Sequence, residues 1–125
     1  MIAIAQGPAT MNTIVYKIVP ATLWQDARER GEFKGASIDL TDGFIHLSTA
    51  AQATETAARY FAGQEGLLLI AIKGEKLGDK LVFEASRGGA LFPHLYASLD
   101  FDAVLWEKPL PVGPDGVHIF PELAA

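Results

Sequence analysis

The sequence predicts an α+β fold: a single domain with two helices in its first half and five to six short strands. Three observations predict it. Both helix-like patterns end before residue 62. Strand-like runs follow one another after residue 66 with no helix between them. Each run is short and bounded by glycine or proline. No βαβ pattern repeats, which sets aside a parallel doubly wound sheet. A chain of 125 residues suits one domain, and its 50% hydrophobic content can supply a core.

The elements follow in order. Thr13-Ile14-Val15-Tyr16-Lys17-Ile18-Val19 is β-branched and aromatic, which favours a strand. Pro20 ends that ladder and suits a helix entrance. Thr22 with Gln25 three residues on has the capping-box pattern, and Gly31 is placed to stop the helix after Arg30. Glu32 to Gly43 reads as an irregular connection, and Phe44–Leu47 as a short strand. Thr49 and Gln52 form a second capping-box pair, opening a helix over Ala50–Phe61 with Gly63 as its stop. Leu67–Ile72 is a continuous apolar run, the pattern of a strand buried on both faces.

Lys73–Lys80 is polar and turn-like. Leu81–Glu84 is another short strand, broken by Arg87-Gly88-Gly89. Phe92-Pro93-His94-Leu95-Tyr96 reads as a loop or a single helical turn. Ala103–Lys108 is a strand, and Pro109 and Pro111 assign the next segment to an edge or coil. Gly113-Pro114-Asp115-Gly116 is a turn signal, with a last short strand expected over Val117–Phe120.

Composition narrows the function classes. The net charge is −5 and no Lys/Arg cluster occurs, so a nucleic-acid backbone is a poor partner. There is no cysteine, which removes disulfides, thiolate zinc sites and cysteine nucleophiles and fits a cytoplasmic protein. No apolar run approaches the length of a membrane span. Residues 1–12 carry no basic n-region and read as a flexible N-terminal extension to a domain covering residues 13–123. The G-x-G-x-x-G, P-loop and H-E-x-x-H patterns are absent.

DGFIHLSTA, residues 42–50, holds the most informative residue. Strand alternation turns Phe44 and His46 one way and Ile45 and Leu47 the other. Ser48 and Thr49 follow where a helix start supplies free N–H groups. An imidazole, two hydroxyls and a helix start can hold ribose hydroxyls or a phosphate. The competing reading makes His46 a hydrogen-bonded core histidine and Thr49 a simple cap. Glu84 ends a strand, with Ser86 and Arg87 beside it. It is a candidate base or ribose contact, or else a solvated strand-end charge paired with Arg87. His94 and Tyr96 can close a pocket over an aromatic ligand, or can be structural. Trp24, Trp106 and Tyr60 read as core. The three histidines, His46, His94 and His118, are scattered without ligand spacing, so no metal site is expected. Ser48 lacks the third orienting group of a hydrolase triad.

YKIVPATLWQDARERGEFKGASIDLTDGFIHLST, LVFEASRGGALFPHLY and the closing HIFPEL together resemble DUF952, a bacterial domain family of unknown function. The resemblance spans about residues 14–123. It implies a fold similar to the ADP-ribosyltransferases, with small split sheets around an NAD-binding cleft. His46-Leu47-Ser48-Thr49 matches that superfamily's ribose-contacting histidine motif. By the same resemblance Tyr60 or Tyr96 stacks on nicotinamide and Glu84, or second Glu107, polarises its ribose. Glu84 stands earlier in the chain than the superfamily's closing glutamate.

The resulting site has Glu84 and His94 as catalytic candidates. His46, Ser48, Thr49, Arg87 and Tyr96 are the binding candidates, and NAD is a substrate rather than a resident cofactor. A nucleotide is the expected partner. The alternatives are a non-catalytic ligand-binding module using the same cleft and a purely structural domain.

Overall fold

The computed structural model describes residues 13–124. The expected extension over residues 1–12 lies outside the described residues. In chain order the elements are β1 (Ile14–Pro20), α1 (Ala21–Arg30), α2 (Ser37–Asp42), β2 (Ile45–His46), α3 (Ala50–Tyr60), β3 (Leu67–Lys73), β4 (Leu81–Ser86), β5 (Ala90–Leu95) and β6 (Val104–Pro109). Short 3₁₀ turns precede β4, β5 and β6. Mixed helix and strand with short strands in small sheets is the architecture the sequence predicts, with three α-helices among the described residues where two were expected.

Two three-stranded sheets form, ordered β1-β3-β6 and β2-β5-β4, with every pairing antiparallel. A single bridge, Tyr16 to Ser48, links β1 to the residues just after β2. The apolar run of β3 takes the centre of the first sheet, where both its edges are paired. Its two faces feed different cores. Ile70 and Ile72 join Val15, Val19, Trp24, Ile45, Leu81 and Leu95 between the sheets. Leu67, Leu69 and Ala71 join Tyr16, Ile18, Ala57 and Leu110 on the outer side, where α3 and the C-terminal segment cover them.

α1 packs through Trp24 and Ala27, both fully buried. Trp24 meets Phe33 at 5.3 Å and Phe101 edge-on at 5.0 Å. Burying a side chain of this size stabilises by about 2–3 kcal/mol. Gly31 stops α1 in the left-handed region, at φ 95°, as its sequence position predicts.

Four expectations are corrected. The segment read as irregular contains α2. Its six residues are too few to show an apolar period, and it is held by a side chain: Asp39 Oδ2 accepts from the Ala36 N–H at 2.7 Å. Gly35, at φ 123°, makes room, since a Cβ there would lie 2.7 Å from the Asp39 Cβ. Phe92–Tyr96 is no loop: residues to Leu95 belong to β5, the middle strand of the second sheet. Pro93 is tolerated because Leu47 donates to its carbonyl at 3.0 Å while the missing return bond falls where β2 has already ended. Thr22 does not cap α1, which begins at Ala21 directly after Pro20 with no side-chain cap. Val117–Phe120 makes only an isolated bridge, His118 to Val112, rather than a strand.

Candidate functional site

Strand alternation gives the second sheet two unlike faces. Ile45, Leu47, Leu81, Phe83 and Leu95 point into the core between the sheets. The opposite face carries Phe44, His46, Glu84, Phe92, His94 and Tyr96. His46 and His94 are cross-strand partners, with ring centroids 5.6 Å apart. Phe44 backs them both, stacked on His94 at 4.1 Å and tilted against His46 at 4.6 Å.

Each imidazole rests on a carboxylate. His94 Nδ1 lies 2.7 Å from Glu84 Oε1, and the Tyr96 hydroxyl donates to the same oxygen at 2.7 Å. The Tyr96 hydrogen bond, joined by His94 and opposed by partial burial, holds the Glu84 carboxyl below the usual glutamate range. The same bond pushes the Tyr96 phenol up. His94 is buried, and it lines a cavity.

His46 Nδ1 lies 2.6 Å from Asp39 Oδ1, and its Nε2 lies 3.0 Å from Asp42 Oδ2. Asp39 is fully buried and forms an ion pair with Lys17 at 2.9 Å. Lys17 belongs to the inward row of β1, between Val15 and Val19, and also donates to the His46 carbonyl at 3.0 Å. Burial alone would raise the Asp39 carboxyl. The Lys17 ammonium and the hydrogen bonds from Lys17 and His46 outweigh it and hold the group below the usual aspartate range. Burial pulls the Lys17 ammonium down, against the attraction of Asp39. The carboxylate is the more firmly determined charge of the pair, because four donors converge on its two oxygens.

Both histidines line one cavity of about 560 Å³ between β1, α2, β2, α3 and the second sheet. This is the size of a small-molecule site. Its walls include Ile38, Tyr60 and Phe92, and its polar groups include Asp42, Ser48, Thr56 and Ser86. Ser48 Oγ and Thr56 Oγ1 are hydrogen-bonded at 2.9 Å. Lys17 is the one Lys or Arg among the described lining residues.

The predicted residues divide accordingly. His46, Ser48 and His94 line the cavity, and Glu84 stands behind His94. Thr49 is the N-cap of α3, its N–H bonded to Gln52 Oε1 at 3.0 Å, and does not line the cavity. Tyr96 lines a smaller neighbouring pocket with Lys34 and Leu40. The Arg87 side chain lies outside what the structure describes. Glu107 pairs with Arg28 on β6, in the other sheet. Tyr60 is not core: it is 59% exposed at the cavity rim. Trp24 is buried as expected, and Trp106 packs partly buried against the outer core. Asp39, Asp42 and Lys17 were missed. A signal existed: a lysine in the inward row of a buried strand demands a buried acid.

A sequence model of the family described as "Protein of unknown function (DUF952)" matches residues 18–107. The chain is 50% identical to protein CC0527 from Caulobacter crescentus. Its crystal structure superposes with a TM-score of 0.82, covering 86% of this chain and 94% of that one. The solution NMR structure of the same protein gives a TM-score of 0.76, covering 83% and 90%. No curated protein matches the chain.

Proposed function

We propose a function for a chain that belongs to the DUF952 family, described only as of unknown function: the cleft binds a ribonucleotide of the NAD type and supports ADP-ribosyl-transfer chemistry. The observation that carries this reading is the pair His46 and His94, which face one cavity across adjacent strands, each with a ring nitrogen on a carboxylate. The split sheets around the cleft, with Ser48 in its wall, agree with what the resemblance to ADP-ribosyltransferases implies.

In this reading His46 and Ser48 take ribose hydroxyls. The glycosidic bond to nicotinamide breaks, and its electron pair leaves on the ring nitrogen, cancelling the pyridinium charge. Glu84, bonded to His94 Nδ1 behind the cavity wall, holds that ring in place and balances its charge as the cationic ribosyl centre forms. An acceptor hydroxyl bonds to that carbon and gives its proton to His94 Nε2, whose far nitrogen Glu84 holds.

A second reading, a non-catalytic small-ligand module, has its own support. Asp39 already neutralises the single lysine of the cavity wall, leaving no described cation there for a pyrophosphate. Titration of the ¹⁵N-labelled chain with NAD, ADP-ribose and nicotinamide separates the two. Shifts at Gly43–Thr49 and Phe92–Leu95 with NAD and ADP-ribose are the expected result. A response to nicotinamide alone favours the second reading, and silence to all three at millimolar ligand removes the first.

A further inference from the structure

Resting on the ligand cleft proposed above, we infer that Asp39, paired with Lys17, is a positioning residue. It fixes the proton of His46 on Nδ1 and so makes Nε2 the edge offered to a ligand hydroxyl. An ionised carboxylate only accepts hydrogen bonds, so the 2.6 Å contact to Asp39 Oδ1 requires Nδ1 to be the donor. The backbone N–H of His46 donates to the same oxygen at 3.0 Å, and Lys17 grips its carbonyl at 3.0 Å. Ring and main chain are therefore tied to one buried ion pair. The absence of a Cβ at Gly35 lets Asp39 sit this deep. Turning the ring over would put the carbon Cδ2 against Asp39, and moving the proton to Nε2 would set two acceptors face to face; either change breaks the anchor.

The free edge then meets Asp42, whose Oδ2 lies 3.0 Å from Nε2. With Nδ1–H committed, that contact needs one further proton shared between imidazole and carboxylate. A ligand hydroxyl needs none, because it donates to Nε2 directly. Asp42 is 41% exposed and free to turn to solvent or to accept a neighbouring hydroxyl. The pair His46 and Asp42 is thus built for two adjacent hydroxyls, the chemistry of a ribose diol. Other groups that face the ring are Lys17 from β1, His94 from β5 with Glu84 behind it, and Phe44.

The test is a long-range ¹H–¹⁵N spectrum of the full chain labelled in histidine, recorded on either side of the histidine range, at about pH 5 and pH 8. The expected result is a His46 proton that stays on Nδ1 throughout, with Nε2 bare at the upper pH. A neutral ring protonated on Nε2, the form that dominates in free histidine, overturns the inference. So does a ring still doubly protonated at the upper pH, which has no acceptor edge. In Asp39→Asn the population shifts toward the Nε2–H form, and retention of the wild-type pattern overturns the assignment. Should that variant not fold, Asp42→Asn decides. There Nδ1–H is retained if Asp39 sets the ring, and a switch overturns the assignment by giving the role to Asp42. None of these readouts needs a nucleotide, so a failed ligand titration removes the proposed function and leaves this result standing.

Discussion

The two histidine–carboxylate units sit on neighbouring strands, yet one rests on the core and the other on the surface. Asp39 is fully buried and neutralised by Lys17, while Glu84 is 40% exposed and held by a phenol. The inner unit is therefore coupled to the fold, because neither charge can be removed without stranding the other. The outer unit can be altered with water as the substitute partner. The cleft combines a rigid acceptor and a tunable one, and mutation should separate them.

The largest expected effect breaks the inner unit. Asp39→Ala leaves the Lys17 ammonium buried without a counter-ion and should cost about 3–5 kcal/mol. A urea midpoint shift at unchanged slope measures it. Lys17→Met with Asp39→Leu should recover part of that loss, since both charges leave together while the Ala36 and His46 N–H groups still lose their acceptor. A double variant no more stable than the single would show that the pair does not account for the effect.

Next is the response to acid. The Asp39 carboxyl is held below its usual range, so the native state binds fewer protons there than the unfolded chain. Its contribution is complete above the unfolded aspartate value of about 3.9 and is lost as pH falls through the lower native value. Stability measured over that range should fall more steeply for the wild type than for Asp39→Asn. Parallel curves would place the acid response elsewhere. Glu84 acts in the same direction, weakened by its exposure to solvent.

Glu84→Gln should change stability by no more than about 1 kcal/mol, as expected of a partly exposed pair. It should still alter the His94 ring signals and the nucleotide response. Loss of stability comparable to the Asp39 variant would erase the distinction between the two units. The smallest effect belongs to Tyr96→Phe. Removing the hydroxyl that donates to Glu84 should leave stability within about 0.5 kcal/mol. A carboxyl ¹³C titration should show the Glu84 value move up toward its ordinary range.

Much of the scaffold was legible because its causes are local. The apolar run GLLLIAI reads as a strand buried on both faces, and β3 is buried along most of its length at the centre of the first sheet. Gly31 ends α1 and Gln52 holds the start of α3 as their spacings predict. The failures share one cause. Pro93 and the short SIDLTD segment carry local signals that argue against structure, and distant groups override them. Pro93 lies in a strand because its neighbours β2 and β4 supply the ladder around it. α2 forms because Asp39 is anchored by Lys17 from β1 and by His46.

By itself the sequence determined the two faces of each strand. Side-chain alternation is a property of the extended backbone, so His46 was bound to point away from Ile45 and Leu47 wherever the strand lay. It also determined the caps and stops, which act over three or four residues. Only the tertiary structure decided what those faces meet. Register set His46 opposite His94, and sheet packing brought a lysine from the first strand beneath an aspartate from a helix that local pattern did not show. Such contacts depend on burial and pairing between distant segments, and their strength comes from the exclusion of water, which exists only once the chain has closed around them.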